Sequence, residues 1–88
     1  MYSAVEWCKH DFRGIEKWDE WGKDHHRNHY QSGNYRQSVI DHCRFHRDML
    51  HNQVLAGMSN KRIDQMADYV CADNFIKDLF ERTFGASA

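Results

Sequence analysis

Apolar residues recur at intervals of three and four along most of the chain, and no stretch alternates apolar and polar with period two. That spacing gathers apolar side chains on one face of a helix and is incompatible with a half-buried strand. The sequence contains no proline, so no helix meets an internal breaker. Punctuation falls to the glycines, at Gly14, Gly22, Gly33, Gly57 and Gly85. The prediction is an all-α bundle of three to five helices with no sheet, forming a single domain over residues 1–88.

The first segment runs from Ser3 to Gly22. Ser3 and Glu6 have the spacing of a capping box, and Val5, Cys8, Phe12, Ile15 and Trp18 form the apolar stripe. Gly14 weakens it and leaves open whether the segment is one helix or two. Tyr2, Trp7 and Trp21 fall off the stripe. Residues 23–34 are polar: the first part can continue a helix, and Ser32-Gly33-Asn34 reads as a turn leading to an N-cap. The second segment, Tyr35 to about Ala56, carries Val39, Cys43, His46, Leu50 and Val54 on one stripe widened by Ile40 and Leu55. As a continuous helix it would be roughly 30 Å long. Ser59 is the expected N-cap of a third segment that buries Ile63, Met66, Ala67 and Val70. Asp73 is the expected cap of a fourth, carrying Phe75, Ile76, Leu79, Phe80 and Phe84 and ended by Gly85. Ala86 to Ala88 are expected to fray.

Twelve basic and thirteen acidic residues leave a formal net charge of −1, which supplies no large field for a phosphate backbone. Seven histidines would make the chain cationic in mild acid. Cys8, Cys43 and Cys71 are an odd, widely spaced set, which fits reduced thiols in a cytoplasmic protein. The N-terminal stretch carries charges at Glu6, Lys9 and Asp11 and does not read as a signal peptide; no apolar run is long enough to span a bilayer, so no membrane partner is expected.

No GxSxG, P-loop, GxGxxG or HExxH motif is present, and the chain reads as non-enzymatic. His25 and His29 are four apart, as are His42 and His46, with Cys43 three residues before His46. Two such helix pairs could supply the four ligands zinc favours. Against this stands the ease with which seven histidines fall four apart, and the sequence assigns neither metal nor cofactor. Glu16, Asp19, Glu20 and Asp24 read as a solvated helix face paired with Lys17, Lys23 and Arg27, or as a mimic of nucleic acid aimed at a basic groove.

Three Trp, four Tyr and five Phe exceed what one small core readily buries. Trp7, Trp21, Tyr30, Tyr35, Arg44, Phe45, Arg47 and Met49 are therefore candidate partner-binding residues, since Trp, Tyr and Arg carry most interface energy. The expected function is a small interaction module, an inhibitor or adaptor that binds and occludes a larger protein, with self-association as a second use of the same aromatics. Small size, balanced charge and aromatic richness are similar in general character to viral (phage) accessory inhibitors. The alternative is a DNA-binding regulator. Within Gln53 to Val70, Ala56-Gly57-Met58-Ser59 followed by Ile63 resembles the helix-turn-helix of bacterial repressors. That resemblance implies that Asn60, Lys61 and Arg62 contact DNA. Asp64 and Asp68 on the same helix depart from it, because they would repel phosphate.

Overall fold

Ser3 starts the first helix as its spacing predicts: its Oγ accepts the Glu6 N–H at 3.1 Å. The helix, α1, covers Ala4–Phe12. The computed structural model describes residues 3–50 and 52–85 and, among them, holds five α-helices and no strand. The expectations for Tyr2 and for Ala86 to Ala88 lie outside the described residues.

The first segment does not continue to Gly22. After Gly14 the chain makes a single 3₁₀ turn, Ile15–Lys17, and Trp18 is extended (φ −70°, ψ 156°). Ile15 is buried in this turn. Asp19 then restarts the helix by accepting the Gly22 N–H at 2.9 Å, so Gly22 lies inside α2 (Glu20–Gln31) instead of ending a helix. The polar stretch 23–31 is wholly helical. Gly33 (φ 73°) closes α2, with its N–H on the Tyr30 carbonyl and that of Asn34 on the His29 carbonyl. This Schellman arrangement needs the left-handed backbone that glycine adopts without strain. Asn34 immediately caps α3 (Tyr35–Asp48) through its Oδ1, which accepts the Gln37 N–H at 3.1 Å. The contacts across this short turn are those of an antiparallel hairpin: His25 and His29 reach Asp41, and the His26 ring lies 5.7 Å from that of His42.

The second segment also stops early. α3 ends at Asp48, and Leu50 takes a positive φ (57°) and is 84% exposed, so the expected stripe fails there. Asn52 instead caps a 3₁₀ turn, Gln53–Leu55, that returns Leu55 to the core. Arg47 pins the loop by donating Nη1 to the Met58 carbonyl at 2.9 Å. Ser59 caps α4 (Asn60–Val70) as expected, its Oγ accepting the Arg62 N–H. Asp73 accepts the Phe75 N–H at 3.0 Å, one residue ahead of the formal cap position Asn74, and α5 (Phe75–Phe84) ends at Gly85.

α3 is packed between α2 and α4, while α1 crosses α4 and α5, and α5 also leans on α2. One core joins four of the helices: Cys8 and Phe12 of α1, Val39 and Cys43 of α3, Ile63 and Val70 of α4, and Ile76 and Phe80 of α5 meet with Leu55, and the half-buried Tyr30 of α2 packs against them. Among the described residues no helix is long and apolar enough to cross a membrane.

Candidate functional site: a histidine-lined cleft

The α2–α3 hairpin, with the end of α1 and Trp18 at its base, encloses an open cleft of about 940 Å³. Its lining includes Asp11, Asp19, Asp24 and Asp41, the histidines 25, 26, 42 and 46, and the aromatic residues Trp18, Trp21 and Phe45. Arg44 is the lone lining residue of permanent positive charge.

Two groups of histidine and aspartate side chains meet at this cleft, all of them lining it except His29, which stands one turn beyond His25. In the first, Asp11 Oδ2 is 2.6 Å from His42 Nε2 and 3.8 Å from His46 Nε2. In the second, Asp41 Oδ2 is 2.8 Å from His29 Nε2 and 3.1 Å from His25 Nε2. Both use a histidine pair four residues apart on one helix, whose side chains stack on one face. The carboxylate comes from another element, so the meeting depends on the tertiary fold.

The rings are held in place. Trp18 stacks on His42 at 5.1 Å with planes 8° apart, and Trp7 covers the same ring at 5.9 Å and 22°. Trp7 also meets the edge of His46 at 5.4 Å. Gln37 Nε2 donates to the other Asp41 oxygen at 2.7 Å, which fixes that carboxylate. His26 sits between the two groups, its ring 5.7 Å from both His25 and His42. It is 4% exposed, and its Nδ1 is buried without a hydrogen-bond partner.

This packing sets the charges. Burial, followed by the neighbouring His42, His25 and His29, pulls His26 down to about 3, so it is neutral in the fold. The hydrogen bond with His42 holds Asp11 below the usual carboxylate range. Burial pushes Asp41 upward, but hydrogen bonds from Gln37, His29 and His25 outweigh it and leave the group lowered. Both carboxylates are thus anionic at neutral pH.

No family model, curated protein or solved structure matches the chain.

The candidate partner-binding residues separate into two groups. Trp21 (79% exposed), Phe45 (44%) and Met49 (56%) lie on the surface, and Trp21, Phe45 and Arg44 line the cleft. Trp7, Tyr30 and Tyr35 are half-buried and pack on the core. Arg44 pairs with Asp64 at 3.0 Å, and Arg47 with Asp48 at 2.9 Å. Cys43 turns into the core, its Sγ 3.5 Å from that of Cys8, and so stands apart from the histidine groups.

Asn60, Lys61 and Arg62 are exposed on the first turn of α4. Ahead of the turn, where a helix-turn-helix requires a full helix, stands the three-residue 3₁₀ turn Gln53–Leu55. Asp64 and Asp68, the residues at odds with phosphate binding, are the partners of Arg44 and Arg36. Of the acidic cluster, Asp19 serves as a cap, and Glu20 and Asp24 pair with Arg27 at 3.5 and 3.3 Å.

Asp11, His26 and Asp41 are the residues that sequence reasoning missed. A signal existed for Asp11, which follows Trp7 by four on α1, so both reach the same histidines. His26 and Asp41 become legible only once α2 and α3 are read as an antiparallel hairpin.

Proposed function

We propose that the chain is a non-enzymatic interaction module that binds a protein partner through the α2–α3 cleft and occludes the bound surface. The carrying observation is the pair Trp21 and Phe45, exposed large aromatics that line one cleft from two different helices. A solvated tryptophan costs free energy that a partner recovers, and such residues dominate interface energetics. Met49 and Leu50 extend the apolar surface at the end of α3. With four aspartates against one arginine in the lining, the cleft suits a partner surface that is apolar at its centre and basic at its edge. An inhibitor or adaptor role follows from binding without chemistry, and a cytoplasmic location suits the three free thiols.

Tagged protein and the variants Trp21→Ala and Phe45→Ala, passed over lysate in parallel, test this reading. Each substitution should weaken capture of one specific protein by at least about 30-fold, since hot-spot truncations cost ~2 kcal/mol or more. The melting temperature should stay nearly unchanged, because Trp21 is largely solvated already. Equal capture by the variants would remove the cleft from the interface. Recovery of nucleic acid that disappears in high salt and requires Lys61 and Arg62 would establish the helix-turn-helix reading instead.

A further inference from the structure

We propose that the cleft binds divalent transition-metal ions, zinc foremost, at two sites: Asp11 with His42 and His46, and Asp41 with His25 and His29. In each group one atom per residue, a ring nitrogen from each histidine and one carboxylate oxygen, falls within 4.8 Å of the others. Zinc takes this ligand set, with bonds of ~2.0–2.2 Å, which separates neighbouring tetrahedral ligands by about 3.3 Å. The four carboxylate–imidazole distances, 2.6, 3.8, 2.8 and 3.1 Å, bracket that spacing.

Three further features favour metal sites over a chance gathering of polar groups. The histidine pairs stand inside regular helices, Glu20–Gln31 and Tyr35–Asp48, so their spacing is preset by the backbone. The groups around the ligands orient them in the manner of an outer shell: Gln37 holds the free oxygen of Asp41, and Trp7 and Trp18 clamp the plane of His42. The electrostatics also fit. In each group two imidazole Nε2 atoms face the same carboxylate oxygen, at 2.6 and 3.8 Å in one and at 2.8 and 3.1 Å in the other. A dication placed between them would bind the carboxylate and both neutral imidazoles directly. Three protein ligands leave the remaining coordination to water or to a group brought by a partner.

The test is calorimetric titration of the chelator-treated full chain with zinc chloride, alongside Asp11→Asn, Asp41→Asn and the double variant. The wild type should bind two equivalents, each single variant one, and the double variant none. Asparagine keeps the shape and a hydrogen-bonding oxygen, and circular dichroism should confirm that each variant is folded. Cobalt(II) added in place of zinc should give visible bands that weaken stepwise across the same series. Undiminished zinc binding by the folded double variant, or no saturable binding by the wild type, overturns the proposal. An aspartate whose replacement leaves the stoichiometry at two overturns its own site. Partner capture plays no part in this readout, so the two readings fail separately.

Discussion

Phe12→Ala is expected to destabilise the fold by about 3–5 kcal/mol, the range for deleting a fully buried phenylalanine. Phe12 has no solvent exposure and occupies the junction of the bundle. Its ring lies 4.6 Å from His42, 5.3 Å from His26, 5.7 Å from Trp18 and 5.8 Å from Phe80. Those neighbours come from α3, α2, the segment before α2, and α5, so a cavity here opens at a point where several elements meet. A chain of this length has only ~4–13 kcal/mol of stability in total. The variant should lose about 3–5 kcal/mol from its urea-unfolding free energy, with a midpoint lowered in proportion. Phe12→Leu, which keeps much of the volume, should cost about 1–2 kcal/mol. Urea unfolding of the three proteins measures this, and a loss below about 1 kcal/mol for alanine would mean that the cleft floor is not packed as described.

Acid should begin to destabilise the protein before its carboxylates titrate, and His26 should be a principal cause. In the unfolded chain this histidine takes a proton near its ordinary 6.5; in the fold it resists protonation down to about 3. A folded-state value below the unfolded one gives stability that is fully present above pH 6.5 and lost as pH falls toward 3. At about pH 5 the contribution lost is on the order of 2 kcal/mol. The groups facing His26 act in both directions: His42, His25 and His29 oppose its charge, and Asp41 favours it. Further acidification adds a second loss, because Asp11 and Asp41 are held below the normal carboxylate range and must be protonated on unfolding in acid. His26→Leu removes the first loss. Its melting temperature should fall less between pH 7 and pH 5 than that of the parent. At pH 7 it should be at least as stable as the parent, since the unpartnered buried Nδ1 is gone. Parallel pH profiles of the two proteins, measured without added metal, would show identical slopes if His26 were hydrated in the fold.

What the sequence disclosed about this fold followed from local chemistry. The caps at Ser3, Asn34 and Ser59 were legible because each pairs a short polar side chain with the backbone two or three residues ahead. Helix ends without such a signal were misjudged. α3 stops at Asp48 although apolar residues continue at helical spacing, and the chain escapes through a left-handed Leu50 that no propensity favours. Gly22 looked like a terminator because glycine usually marks an end, yet Asp19 makes it part of a first turn. The histidine pairs were visible as spacings, but their carboxylates were not. Asp11 and Asp41 reach them across helix boundaries, and only the hairpin geometry brings those positions together. Trp21 and Phe45 lie off the apolar stripes of the sequence, and both are exposed in the fold. Trp7 has the same sequence signature, and packing on His42 and His46 gives it a different place in the fold.

Mapping amide chemical-shift changes on the isotope-labelled chain, while the captured partner is titrated in, tests most directly whether the α2–α3 cleft is the working surface of this protein. Changes should concentrate over residues 18–29 and 41–49, with α4 and α5 little affected. Changes centred on Asn60, Lys61 and Arg62, with the cleft undisturbed, would contradict that assignment.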